Sequence, residues 1–120
     1  MGLRVNKAPF KLSAYTTEDS DGNAMLKSHA YLAQSAGSIN AFVSVTAAAP
    51  NISGYVGFTN DPVTDGVKVD SHSDDTQTMI IHVSFLVAKG EYFEIRADST
   101  SAVNINWKSV GALIKPVDFN

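Results

Sequence analysis

One stretch decides the fold class of this 120-residue chain: Met79-Ile80-Ile81-His82-Val83-Ser84-Phe85-Leu86-Val87. Apolar side chains recur there at every second position, and the polar His82 and Ser84 lie between them. Because successive side chains of a β-strand point to opposite faces, this alternation predicts a strand with one face in the core. The core-facing series is Met79, Ile81, Val83, Phe85 and Val87.

The same two-residue period recurs along the chain. It predicts further strands at residues 10–14, 31–33, 39–45, 93–97 and 103–107, with Trp107 in the core and Glu94 and Arg96 on an outer face. We expect roughly eight to ten short strands with a turn about every 8–12 residues, which is typical of a sandwich or barrel. Residues 24–36 could form a helix by length, but they lack a 3.6-residue period.

The connections between these strands also have sequence signals. Asp65-Gly66 is a favourable pair for a two-residue hairpin turn. Residues 70–77 are almost all polar, which predicts a surface loop.

Composition limits the classes of protein. With 44% hydrophobic and 18% charged residues, the chain is expected to fold, and its length fits one domain over residues 1–120. The nine Lys and Arg residues are scattered and the net charge is −3, which disfavours nucleic acid as a partner. No apolar run approaches the ~20 residues of a membrane span, so membrane insertion is not expected.

The sequence has no recognisable motif for catalysis or metal binding. The absence of cysteine excludes disulfides, thiolate nucleophiles and thiolate metal sites. The common hydrolase, phosphate-loop and zinc-protease motifs are missing, and the three histidines do not have metal-ligand spacing. Residues 18–23 superficially resemble a calcium loop but lack its spacing and distal glutamate. We therefore expect that the protein is not an enzyme and that it binds no cofactor and no metal.

An ordered set of short motifs fills the second half. Gly54-Tyr55-Val56-Gly57-Phe58-Thr59-Asn60 comes first, then Asp65-Gly66, the long apolar strand, Lys89-Gly90 with Arg96 six residues later, and a strand ending at Trp107. This order resembles the tumour necrosis factor-like jelly roll. Within that superfamily the chain is most similar to the trimeric bacterial lectin domains that bind fucosylated glycans. Phage fibre tips and complement globular heads share the layout.

The resemblance implies an all-β jelly-roll β-sandwich that assembles as a homotrimer. In those lectins the sugar lies between protomers and is held by a tyrosine and two arginines. Tyr55 and Arg96 match two of these positions, and Thr78 occupies the place of the second arginine. The family's binding loop falls on Asp70, Ser71 and His72.

The residue types agree with this expectation and also allow a structural one. The Arg96 guanidinium can donate to two sugar hydroxyls, or it can simply pair with an acid such as Glu94. Tyr55 offers an aromatic face to a sugar, or it can pack at a protomer interface.

Three functions therefore remain open. The chain is expected to be a lectin that acts at an extracellular glycan surface, although residues 1–10 contain no visible secretion signal. The alternatives are the receptor-binding tip of a phage tail fibre and a structural assembly module without a glycan ligand.

Overall fold

The computed structural model describes residues 15–45, 50–73, 81–98 and 102–119. The regular structure of these ranges is almost all β-strand, as the sequence predicts, and their one helix is a single turn, too short to cross a membrane. The predicted strand at residues 10–14 lies outside the described ranges. The elements are β1 (Ala30–Leu32), β2 (Gly37–Val45), β3 (Asn51–Gly57), α1 (Pro62–Asp65), β4 (Val67–Ser73), β5 (His82–Val87), β6 (Tyr92–Ala97), β7 (Ala102–Ser109) and β8 (Val117–Asp118).

The strands form two antiparallel sheets. One has the order β4-β3-β6-β1-β8 and the other the order β5-β2-β7. The pairs are nested along the chain: β3 pairs with β4, β2 with β5, and β1 with β6. A backbone bridge between Thr16 and Trp107 adds an outermost pair, in which the segment before β1 contacts β7.

The two sheets enclose one hydrophobic core. The alternating series of the sequence provides its inner faces, and the fully buried members include Ile39, Ala41, Val43, Ile81, Val83, Val87, Phe93, Ile95, Ile105 and Trp107. Phe85 is partly buried and packs against this cluster. The predicted core faces of β2, β5, β6 and β7 are thus confirmed wherever the structure describes them.

A stack of aromatic rings crosses the core from one sheet to the other. The Phe93 and Trp107 rings are nearly parallel, with centroids 5.8 Å apart, and Tyr31 stacks on Phe93 at 5.6 Å. Trp107 is fully buried, as predicted, and its indole Nε1 donates to the carbonyl oxygen of Ile114 at 2.9 Å. That hydrogen bond satisfies the one polar atom of a large buried side chain.

Glycine at position 54 lets β3 approach the opposite sheet. A Cβ atom at this position would overlap the ring of Phe85 on β5. The inner face of β3 therefore has room for the Phe85 ring only because residue 54 has no side chain.

The predicted two-residue turn at Asp65-Gly66 is wrong. Such a turn would pair Thr64 with Val67, whereas the structure pairs Val56 with Val67 and connects the strands through α1. Two features favour the helical turn over the tight hairpin. Pro62 lies at its start, and the Asp61 side chain caps it by accepting from the Thr64 backbone N–H at 3.3 Å.

The predicted polar loop at residues 70–77 is also wrong in its first half. Residues 70–73 belong to β4, the edge strand of the five-stranded sheet, and residues 74–77 lie outside the described ranges. A strand at the edge of a sheet is exposed on most of its surface, so it tolerates a run of polar side chains that resembles a loop.

Candidate ligand-binding face

The outer face of the five-stranded sheet carries three of the six predicted site residues: Tyr55, Ser71 and Arg96. On β3, Ile52 is buried in the core, so Ser53 and Tyr55 face outward. Ser53 pairs with Ser71 of β4 on one side and with Arg96 of β6 on the other. These three side chains therefore form one row across three strands.

Tyr55 lies in the next row of the same face. It pairs with Lys68 of β4 and with Glu94 of β6, which places it diagonally from Arg96. Diagonal neighbours in an antiparallel pair are roughly 7–8 Å apart, and their Cβ atoms are somewhat closer, so one small ligand can contact both side chains. The structure thus brings together the tyrosine and the arginine that the sequence singles out.

Lys68 is a member of this face that the sequence did not reveal. Its Nζ lies 5.8 Å from the centroid of the Tyr55 ring. A β-bulge in β4 leaves Val69 without a partner on β3: Gly54 pairs with Asp70 and Tyr55 with Lys68, which sets Lys68 opposite the tyrosine. The alternation Val67-Lys68-Val69 is typical of a strand. Which residue of β3 lies opposite Lys68, however, depends on the length of the connection between β3 and β4, and the predicted two-residue turn made that connection too short.

Arg96 is held by an acidic neighbour on its own strand. Its Nε donates to Oε2 of Glu94 at 2.6 Å. The Glu94 side chain is 5% exposed and that of Arg96 is 49% exposed, so the carboxylate is buried beneath an accessible guanidinium. Among the described residues Arg96 has no other partner, so its terminal Nη groups are unpaired there.

The burial of Glu94 is unexpected for an outward-facing position. Its cross-strand partner on β1, Ala30, is also almost fully buried, so this part of the outer face is covered. A buried carboxylate is costly unless it is paired, and Arg96 provides the pair. The contact expected under the alternative interpretation of Arg96, an ion pair with Glu94, is therefore present.

Asp70 and His72 lie on the opposite face of β4 from Ser71. They turn toward β5, where Asp70 Oδ2 accepts from the Ser84 backbone N–H at 2.9 Å. The ring of His72 lies edge-on to that of His82, with centroids 6.4 Å apart. These two predicted residues therefore do not share the face of Tyr55 and Arg96. Thr78, the remaining predicted residue, lies outside the described ranges.

No metal centre is formed by the part of the chain that the structure describes, since it contains no cluster of three or more potential ligands. In the loop that superficially resembles a calcium site, Asp19 is fully buried. Its Oδ1 accepts from the backbone N–H groups of Asp21 and Asn23, at 2.9 and 3.1 Å. That carboxylate closes the turn.

The buried tyrosine of β1 has the one large pKa shift in the described ranges. Burial raises the pKa of the Tyr31 phenol from 10.0 to about 12, against the opposing effect of a hydrogen bond that its oxygen accepts from the Leu26 N–H at 2.7 Å. Since Tyr31 stacks on Phe93 within the core, this shift concerns stability rather than the outer face.

Comparison with known proteins identified no relative of this chain. A scan against family models found no match, and neither did a search of curated proteins or of solved structures. The function must therefore be inferred from the fold and from the geometry of the outer face.

Proposed function

We propose that this chain is a non-catalytic carbohydrate-binding domain, a lectin, whose glycan lies on the outer face of β3, β4 and β6. One observation carries the proposal: Tyr55 and Arg96 are diagonal neighbours on that face, beside the hydroxyl groups of Ser53 and Ser71. An aromatic ring, a guanidinium and hydroxyl groups on one rigid sheet are suited to a sugar ring and its hydroxyls.

The roles of the side chains follow from their chemistry. Tyr55 provides an apolar ring surface for the C–H groups of a sugar, and Lys68 above it can donate to a hydroxyl. The Nη groups of Arg96 donate in parallel to two adjacent oxygens, a geometry that lysine cannot reproduce. Glu94 fixes the guanidinium through Nε at 2.6 Å, so that less side-chain freedom is lost on binding.

The proposed fold is the jelly roll, and the strand order supports it. A jelly roll contains eight strands in two sheets with Greek-key connections. The nested pairs β3 with β4, β2 with β5 and β1 with β6, enclosed by the contact of Thr16 with Trp107, are the pattern expected when one long hairpin is rolled into two sheets.

The proposal includes assembly as a homotrimer with glycan sites near subunit boundaries. Leu86 is 80% exposed beside Val110, and both line an apolar cleft of about 490 Å³ that also includes Ala36 and Ala88. Exposed apolar surface of this kind supports self-association. Three weak sites on one assembly would add avidity on a glycan-coated surface.

A glycan array tests the function directly. We expect wild-type protein to bind a defined subset of immobilised glycans, and we expect that binding to persist in EDTA because no metal takes part in the proposed contacts. Failure to bind any glycan at a concentration at which the assembly is intact would contradict the lectin and favour a structural module. Loss of binding in EDTA that calcium restores would contradict the metal-free site.

A further inference from the structure

A second cleft lies away from the outer face, where α1 meets the ends of β3 and β4. Its volume is about 380 Å³, and Phe58, Val67 and Val69 give it apolar walls. These three side chains are 80%, 65% and 45% exposed, and they are grouped around one cleft rather than scattered singly over the surface. The cleft is therefore an apolar surface open to solvent.

Two glycines form the cleft where α1 folds back onto β3. A Cβ on Gly57 would lie 2.9 Å from the Cα of Gly66, and a Cβ on Gly66 would overlap backbone oxygens of Val56 and Pro62. The backbones approach this closely only because both residues lack side chains. The shape of the cleft is thus set by the fold before any ligand binds.

Two carboxylates line the cleft, and each is held in place through one oxygen. Oδ2 of Asp65 accepts from the Thr59 hydroxyl at 3.0 Å, and Oε1 of Glu91 accepts from the Ala88 backbone N–H at 2.7 Å. The second oxygen of each has no partner among the described residues. The lining residues include no Lys, Arg or His, so the negative charge is not neutralised within the cleft.

We propose that this cleft binds a small organic cation, an ammonium group carried on a compact apolar ring. The apolar walls fit the ring, the exposed Phe58 can contact the cation or the ring, and the carboxylates complement the positive charge. A neutral ligand of the same shape would fill the apolar walls but would gain nothing from the charge of the two carboxylates. The site is separate from the proposed glycan face.

The test compares two probes with the same ring, cyclohexylammonium and cyclohexanol, by following the backbone amide resonances of the full chain. We expect cyclohexylammonium to shift the resonances of Gly57, Gly66 and Val69, with an affinity at least about tenfold above that of cyclohexanol. Equal affinities of the two probes, or shifts confined to other regions, would overturn the proposal.

Variants separate the cleft from the overall charge of the protein. Glu91→Gln and Phe58→Ala are each expected to weaken binding of cyclohexylammonium, by about tenfold and a few fold respectively. Glu18→Gln is the matched control because it removes one negative charge from an exposed pair with Lys115 and should leave the affinity unchanged. An equal loss in Glu18→Gln and Glu91→Gln would refute a specific site.

A third probe, the amide of Nα-acetyl-lysine, distinguishes a small-molecule ligand from a lysine side chain of another protein. Its ammonium stands on a flexible chain without a ring, so we expect it to bind more weakly than cyclohexylammonium. Tighter binding of the lysine derivative would contradict the proposed ligand class. None of these residues lies on the face of Tyr55 and Arg96, so the outcome does not depend on glycan binding there. Glu91 also lines the apolar cleft beside Leu86, so light scattering must first show that Glu91→Gln keeps the mass of the wild-type assembly.

Discussion

The two faces of β6 show how differently one strand can use its side chains. Phe93 and Ile95 on the inner face are fully buried among apolar residues, so the size and shape of their side chains determine how well the core packs. Glu94 and Arg96 on the outer face form an ion pair, and Tyr55 of the next strand lies beside them. The inner face therefore stabilises the sheet, whereas the outer face presents polar groups in a fixed arrangement. Substitutions should separate the two roles.

The largest expected effect is on the inner face. Phe93→Ala would remove the ring that lies between Tyr31 and Trp107 and leave a cavity where the two sheets meet. We expect a loss of about 3–5 kcal/mol in the free energy of unfolding, measured by urea denaturation. A loss below about 1 kcal/mol would show that the aromatic stack is not the centre of the core.

An intermediate effect is expected where β3 approaches the other sheet. Gly54→Ala would place a methyl group against the ring of Phe85, and overpacking of this kind typically costs about 1–3 kcal/mol. Ser53→Ala, at the neighbouring outward position, is the control and should change stability by less than about 0.5 kcal/mol. If a second change, Phe85→Leu, fails to recover stability in the Gly54→Ala protein, the steric explanation is wrong.

A smaller effect on the inner face depends on pH. The pKa of Tyr31 is raised from 10.0 to about 12 in the folded protein, so the stability that comes from keeping the phenol protonated is fully present below pH 10. This contribution is lost as the pH rises from 10 to about 12. We expect Tyr31→Phe, which cannot ionise there, to lose less stability over that interval, as measured by urea denaturation at a series of pH values. Parallel losses in the two proteins would contradict the shifted pKa.

The same comparison explains what the sequence could predict. Alternation specifies which side chains face the core, so the inner faces of β2, β5, β6 and β7 were predictable from local pattern alone. The outer face depends on which strands are neighbours and in what register. A connection longer than expected between β3 and β4 and a bulge in β4, opposite Gly54 and Tyr55, set that register. Neither feature has an unambiguous local signal.

The candidate site shows this limit residue by residue. Tyr55, Ser71 and Arg96 share a face, as a common site requires, but Asp70 and His72 have the opposite orientation because Ser71 lies between them on a strand. A loop would have left all three free to converge. Lys68 was not predicted as a site residue, because only the register of β4 against β3 places it beside Tyr55.

The proposed trimer gives a prediction that does not depend on any substitution. The exposed Leu86 and the apolar cleft beside it should be covered if the chain assembles. We expect light scattering at micromolar concentration to give about three times the chain mass of 12.8 kDa. A monomer mass would refute the trimer, and Leu86→Ser should shift the equilibrium toward monomer if this surface is the interface.

A small effect on stability is expected in the variant that tests function most directly. Arg96→Lys keeps a positive charge that can still pair with the buried Glu94 carboxylate, so the fold and the assembly should persist. Because the ammonium replaces the Nε contact to this buried partner, the melting temperature is measured first, and we expect it to stay within about a few degrees of that of wild type. The matched control is Lys108→Arg, an equally conservative change on the outer face of the other sheet.

The decisive measurement is a titration of wild type, Arg96→Lys and Lys108→Arg with the glycan that binds most strongly on the array. Loss of a charged hydrogen bond typically costs ~1.5–3 kcal/mol, so we expect the dissociation constant to rise roughly ten- to a hundredfold in Arg96→Lys and to stay unchanged in Lys108→Arg. Equal dissociation constants for all three proteins would mean that Arg96 only neutralises Glu94, and the outer face of β6 would not be the glycan site.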